Sequence, residues 1–245
     1  MTDKPTVAVF RPDDERLAEA IEFLEAQGVE PIADPMLAIE ATGERPREDA
    51  DYTILTSKTG VELAAEAGWK PGGRICAIGP ATADALREAG YEVAIVPEEY
   101  TSSGLVDHLA SDVDGARVEV ARSDHGAQIL LDGLEAAGAY VHETILYQLV
   151  RPPGSGVSAE RAADGTLDAA LFTSSLTVEY FLDAAGDRGI RADAIEGLDD
   201  ATVGVIGEPT EQTATDHGIA VDVVPPNAEF EELAELVLTT LPSEF

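Results

Sequence analysis

An ordered internal repeat constrains this 245-residue chain more than any other feature. VAVFR at 7–11 recurs as VEVAR at 118–122. YTILTSKTGVELA from Tyr52 recurs as AALFTSSLTVEYF from Ala169, and IGPATADALREAGYEVAIVP from Ile78 as IGEPTEQTATDHGIAVDVVP from Ile206. The offset is 111 from Val7 to Val118, 117 from Thr56 to Thr173 and 128 from Gly79 to Gly207, so the copies differ by insertions in connecting loops. Two copies of one unit predict two similar domains, with a ligand expected between them.

The runs TVAVF, YTILT, RICAI, EVAIV, RVEVA, DAALFT, TVGVI and VDVV are short, rich in β-branched residues and apolar over most of their length. Such runs predict parallel strands covered on both faces. Between them lie stretches of helical periodicity, such as Leu17, Ile21 and Leu24. Several end at a glycine (Gly28, Gly90, Gly138, Gly218), which suits the left-handed backbone that closes a helix. Alternation of strand and helix is the pattern of doubly wound sheets. The fold class expected is α/β: two flavodoxin-like doubly wound parallel-sheet domains related by internal duplication. Two segments interrupt the alternation, Pro31–Glu40 (PIADPMLAIE) and Val141–Arg151 (VHETILYQLVR), the latter followed by PPGSG. Both fit strands that cross between domains, and both fit equally well as ordinary second strands of each sheet.

The chain carries 48 acidic and 15 basic residues, a formal net charge of −33, and its only lysines are Lys4, Lys58 and Lys70. The acids are spread along the chain among apolar strands, which argues against disorder. They predict a folded protein adapted to high salt, where self-repulsion is screened. An acidic cytosolic protein without salt adaptation is the plainer alternative. Binding to nucleic acid or to an anionic membrane surface is excluded as an expectation at this charge. The lone Cys76 lies in the apolar run ICAIG and reads as a buried small hydrophobe. No apolar segment follows Met1 and no run approaches about 18 apolar residues, so a soluble cytoplasmic protein is expected.

Ligands of open α/β sheets bind beyond the carboxyl ends of the strands. There the sequence places Arg11, then Ser57 and Lys58, then Gly79 to Thr82, then Thr101 and Ser102, then Arg122. The second copy places Ser174 and Ser175, and Gly207 to Thr210. Small hydroxyl residues and glycines at helix starts leave backbone N–H groups and the positive helix end for an anion. Each Ser or Thr is equally an ordinary N-cap; their repetition in both copies favours a site for a large anion. There is no G-x-G-x-x-G, P-loop, C-x-x-C, H-E-x-x-H or G-x-S-x-G. The four histidines, His108, His125, His142 and His217, have no ligand spacing and read as mostly exposed. No metal and no cofactor are expected, so chemistry falls to positioning, electrostatics and an acid–base group.

Taken together, VAVFRP, ILTSKTGV, CAIGPATADALREAGYEV, the YTSSGLVDHL helix start, ILYQLV and LFTSSLTVEYF resemble the uroporphyrinogen-III synthase family over nearly the whole chain, in the right order. The resemblance implies two α/β domains joined by a two-stranded β ladder, with the first strand and helix belonging to the second half's sheet. Domain boundaries then follow at 1–34 plus 152–245 and at 41–140, with linker strands over 35–40 and 141–151. It implies a cofactor-free lyase acting on hydroxymethylbilane, a linear tetrapyrrole with eight carboxylates. The terminal hydroxyl leaves as water, the last ring is inverted through a spiro intermediate, and the macrocycle closes, serving tetrapyrrole (heme, siroheme, cobalamin) biosynthesis.

By the same resemblance Tyr147 helps the hydroxyl depart, as proton donor or through an ordered water. A phenol, with an ordinary pKa of about 10, keeps its proton at neutral pH and can donate it. Thr82 and Ser175 match hydroxyl positions of the family, with Thr210 the equivalent of Thr82 in the second copy and Ser174 beside Ser175, and these would donate hydrogen bonds to substrate carboxylates. Arg11, Lys58 and Arg122 are strand-end cations that could pair with those carboxylates or simply be surface charges. Ser57, Thr101 and Ser102 complete the expected substrate-binding set. The second turn reads GEPTEQ where the family has a G-P-x-T-A pattern, and Glu208 sets a negative charge beside Thr210. The expected partner is the small-molecule tetrapyrrole alone, for a monomer. A two-domain protein that binds a small ligand without chemistry, and a two-domain transferase, are the competing readings.

Overall fold

The computed structural model describes residues 4–241. The chain divides into two compact units, unit 1 of residues 1–38 and 150–245 and unit 2 of residues 39–149. Each contains one sheet.

Unit 1 is built on β1 (Thr6–Val9), β2 (Glu30–Ala33), β9 (Ala169–Phe172) and β10 (Thr202–Val205), in the order β10-β9-β1-β2. All three pairings are parallel. The run VDVV, expected as a strand, contributes a single parallel bridge, Gly204↔Val223, at the β10 edge. On one face lie α1 (Glu15–Ala26) and α10 (Phe230–Thr240), packed over Val7, Val9, Ala169 and Leu171. On the other lie α6 (Val157–Ala163), α7 (Ser175–Asp187), α8 (Arg191–Leu198) and α9 (Glu208–Asp216), over Ala8, Phe10, Ala170 and Phe172. Successive strand residues point to opposite faces, so an unbroken apolar strand feeds both layers.

Local sequence explains these elements. Asp14 caps α1, accepting from the Arg16 backbone N–H at 3.0 Å, and Leu17, Ala20 and Leu24 form its buried stripe. Gly28 follows the helix at φ +86°, a conformation that costs other residues a Cβ clash. Three aromatic rings fix the second layer. Phe10 stacks on Phe172 with centroids 4.5 Å apart, and Phe181 meets both edge-on at 5.6 Å. Gly204 allows α10 its close approach: a Cβ there would lie 2.4 Å from Val237 Cγ2.

Unit 2 is built on β3 (Ala38–Ala41), β4 (Tyr52–Leu55), β5 (Arg74–Ala77), β6 (Val93–Ile95), β7 (Arg117–Ser123) and β8 (Tyr140–Val150), in the order β3-β8-β7-β4-β5-β6. The pairings from β8 to β6 are parallel. Here α4 (Ser102–Leu109) and α5 (Gln128–Ala136) pack over Ile54, Cys76, Val118 and Val120. On the other face α2 (Lys58–Glu66) and α3 (Pro80–Glu88) pack over Leu55, Ile75, Ala77 and Ala121. Burial pushes the Cys76 thiol up to about 12, as fits a core residue.

Reading outward from β1 and from β7, the two orders correspond: β2-β1-β9-β10 matches β8-β7-β4-β5. The segment Pro31–Glu40 holds two short strands, β2 in the sheet of unit 1 and β3 in that of unit 2. Val141–Arg151 lies largely in β8, which neighbours β3 but also pairs with β7 from Arg117↔Tyr140 to Ser123↔Tyr147. The crossing segments are therefore strands, Pro31–Glu40 contributing one to each sheet and Val141–Arg151 lying in the six-stranded sheet. Residues 141–149 fall inside unit 2.

Candidate active site

In unit 2 the chain reverses its winding between β7 and β4: α5, after β7, covers one face, and α2, after β4, covers the other. A crevice for ligands forms beyond the strand ends at such a switch point. Tyr147, near the end of β8, is 7% exposed, and its phenol donates to Ser57 Oγ at 3.0 Å. That bond spans from β8 to the start of α2 across the end of β7. Ser57 is also the N-cap of α2, accepting from the Gly60 N–H at 3.0 Å. Beside it Lys58 is exposed and pairs loosely with Glu62 at 3.7 Å.

Next along the sheet, α3 starts at Gly79 with no side-chain cap and Pro80 in its first turn. Thr82, in that turn, is 5% exposed, and its hydroxyl has no partner among the described residues. Thr101 caps α4, accepting from the Gly104 N–H at 2.9 Å, and Ser102 begins that helix half-buried. Three helix starts thus face the carboxyl end of one sheet. Their free N–H groups and positive helix ends favour negative charge.

Arg122 departs from the expected picture of a free strand-end cation. Its side chain is 4% exposed, with Nε 2.6 Å from Glu143 Oε1. Its Nη1 donates to the Ala127 carbonyl at 2.6 Å. Arg122 therefore braces the 123–127 loop and is already neutralised by Glu143. That loop carries a pair to which the sequence reading gave no role. His125 Nδ1 lies 2.9 Å from Asp124 Oδ1, the Leu149 N–H donates to the same oxygen at 3.1 Å, and the Asp124 N–H donates to the Tyr147 carbonyl at 3.3 Å. Burial works to raise the Asp124 pKa, but the bonds from His125 and Leu149 outweigh it and hold the carboxyl below its ordinary value.

Unit 1 repeats the scheme. Ser174 caps α7 in a capping box with Thr177, accepting from the Thr177 N–H at 3.3 Å. Ser175 Oγ donates to the Pro209 carbonyl at 3.0 Å and accepts from Thr213 Oγ1 at 2.9 Å. Thr210 is 3% exposed at the uncapped start of α9, and its hydroxyl, like that of Thr82, has no partner among the described residues. Glu208 is exposed in the same first turn. Arg11 is half-buried at the end of β1, its guanidinium 4.7 Å from the centre of the Phe230 ring. Burial lowers its pKa, and neighbouring Arg16 adds to that. Among the described residues no His, Cys, Asp or Glu cluster could hold a metal ion, and no helix is long and apolar enough to cross a membrane.

The model of the family described as "Uroporphyrinogen-III synthase HemD" matches residues 15–235. The chain belongs to the uroporphyrinogen-III synthase family. A protein of Methanothermobacter thermautotrophicus, described as "Putative uroporphyrinogen-III synthase", is 36% identical over 230 residues, covering 87% of this chain and 90% of its own. A protein of Archaeoglobus fulgidus with the same description is 27% identical, covering 94% and 97%. Among solved structures, a uroporphyrinogen III synthase of Thermus thermophilus aligns over 96% of this chain and 98% of its own, with TM-score 0.68 at 19% identity. That of Helicobacter pylori aligns over 96% and 99%, with TM-score 0.62 at 15% identity. At such identities these structures establish the fold. The family assignment rests on the match over 15–235 and on the archaeal relatives.

Proposed function

We propose that this member of the uroporphyrinogen-III synthase family converts hydroxymethylbilane to uroporphyrinogen III, with Tyr147 as the group that assists departure of the hydroxyl. The observation that carries the role is the buried phenol held by Ser57 at the carboxyl end of the sheet. The C–O bond of the hydroxymethyl group breaks with its electron pair on oxygen. The Tyr147 proton, carried in the resting protein on the bond to Ser57, goes to that oxygen, and water leaves. The exocyclic carbon, now electron-poor, is attacked by the far pyrrole ring. Inversion passes through the spiro intermediate, and a ring proton is lost as the macrocycle closes.

Carboxylate binding is assigned to the helix starts of each unit: Ser57, Lys58, Thr82, Thr101 and Ser102 in unit 2, and Arg11, Ser174, Ser175 and Thr210 in unit 1. Thr82 and Thr210 are the strongest of these, each a buried residue in a first turn with a hydroxyl that has no hydrogen-bond partner among the described residues. Arg122 keeps its place in the binding set as the brace of the 123–127 loop. We further propose that the protein works as a cytoplasmic monomer in concentrated salt, which screens the repulsion between a −33 chain and a polyanionic substrate. Oriented backbone amides then supply the local attraction.

The test is to supply hydroxymethylbilane and analyse the porphyrinogen isomers. Spontaneous closure gives type I, so type III above background supports the reading and type I alone overturns it. Tyr147→Phe is expected to lower turnover at least about tenfold with the fold retained. An unchanged rate removes Tyr147 from the mechanism.

A further inference from the structure

Tyr100 lies in the loop between β6 and α4, at the carboxyl end of the sheet in unit 2. Its neighbours fix its place. Thr101, the next residue, caps α4, and its N–H donates to the Glu99 carbonyl at 2.8 Å. Gly79, just before α3, faces the tyrosine: a Cβ there would lie 3.3 Å from Tyr100 Cβ and 3.5 Å from its Cγ. Tyr100 therefore lies over the start of α3, whose first turn holds Thr82.

The fold makes little use of this ring. Tyr100 is 60% exposed, and its phenol has no hydrogen bond among the described residues. Tyr147 is buried and bonded to Ser57, and the phenols of Tyr52 and Tyr91 bond to the Asp112 and Trp69 carbonyls. Tyr140, also exposed, lies at the amino end of the sheet, at the start of β8. The internal repeat shows that the join itself needs no aromatic residue. At the offset of Gly79 to Gly207, Tyr100 corresponds to Ala228, and the caps Thr101 and Glu229 correspond as well. Nothing lies within 4 Å of a Cβ built on Gly207. The start of α9 is thus open where the start of α3 has a ring beside it.

Charge decides what such a ring can meet. Glu98 and Glu99 precede it and are exposed, and the Glu99 Cβ faces Gly104 in the first turn of α4. Carboxylates there repel an acidic group on the β6 side. The first turn of α3 carries no acid and has no side-chain cap, so its N–H groups draw the acidic group to the other side of the ring.

We infer that Tyr100 is a substrate-binding residue whose ring stacks on one pyrrole of the tetrapyrrole, while a carboxylate arm of that pyrrole rests on the N–H groups at the start of α3. The inference rests on the proposed conversion of hydroxymethylbilane. Three strand spacings separate β8 from β5, which sets the strand ends about 14 Å apart. The pyrrole at Tyr100 is therefore not the one that loses its hydroxyl at Tyr147. Contact with a remote ring is made alike in the ground state and the transition state, so it acts on KM and leaves kcat unchanged.

Steady-state kinetics on hydroxymethylbilane, following the type III isomer, provide the test. Tyr100→Ala should raise KM at least about fivefold with kcat within about twofold of the parent. Tyr100→Phe should keep the parent KM, and Tyr100→Leu, apolar but without a π face, should behave as Tyr100→Ala. All three should unfold at the parent Tm, as fits an exposed side chain. An unchanged KM in Tyr100→Ala, a Leu variant as good as the Phe variant, a loss confined to kcat, or a lowered Tm overturns the inference. In each of those cases type III formation by the parent leaves the proposed function standing. A parent that yields type I alone overturns that function, and the role of Tyr100 with it.

Discussion

Unit 1 and unit 2 place different chemistry in the same row of their sheets. In unit 1, Ile32, Ala8 and Ala170 are register partners across β2, β1 and β9. In unit 2 the matching row across β8, β7 and β4 is His142, Glu119 and Thr53. The repeat sets Ala8 against Glu119, VAV against VEV. The difference follows the helices above. Where α6 and α8 roof the row, it is apolar, two alanines beside Ile32. Where no helix follows β8, the row has room for an imidazole and a carboxylate that satisfy each other. Strand sequence is thus set by its cover as much as by its place in the sheet.

Moving the acid to the roofed row should give the largest effect. Ala8→Glu puts a charge where no histidine can meet it, and should cost about 3–5 kcal/mol in urea unfolding. A loss below about 1 kcal/mol would mean that the roof of unit 1 opens readily. Removing the partner in the open row is next: His142→Ala should cost about 2 kcal/mol, because Glu119 keeps only Thr144. The triple change Thr53→Ala, Glu119→Ala, His142→Ile, which copies unit 1, should be nearly neutral. A triple variant less stable than His142→Ala would refute the role of the missing roof.

The two serine caps sharpen the comparison on a finer scale. Ser174→Ala removes a cap and should cost about 1 kcal/mol, whereas Ser57→Ala also strands the buried Tyr147 phenol and should cost about 2 kcal/mol. Equal losses in thermal unfolding would show that the phenol finds another partner. Acid titration gives the smallest effect. The Asp124 pKa is depressed in the folded state, so its contribution is fully present above the ordinary carboxylate range and lost as pH falls through the lower folded value. Stability should fall less between about pH 5 and about pH 3 in Asp124→Asn than in the parent.

Much of this was legible in the sequence. Seven of the eight apolar runs became strands because their patterning is local, and the repeat order carries over to the strand orders. VDVV did not, since only Val223 reaches Gly204. The helix-start hydroxyls were legible because caps are local. The partners were not. Tyr147 and Ser57 are 90 residues apart, and Arg122 reads as a free cation until Glu143 is brought beside it. His142 was passed over with the other histidines. A signal was present all the same, in the acid at the centre of the apolar strand VEVA.

The path of the chain carries one more consequence, for synthesis. β1 lies between β2 and β9, whose residues are separated by all of unit 2 and all of α6. Asp34, in turn, accepts from the N–H groups of Gly156 and Ser158, both at 2.8 Å, across the same gap. On a ribosome the inserted unit is therefore complete while the first 38 residues still wait for their neighbours. Until residue 169 emerges, β1 has one bare edge with apolar residues on both sides. The exposed β1 edge, not the finished protein, is therefore the part of this nascent chain most open to wrong pairing.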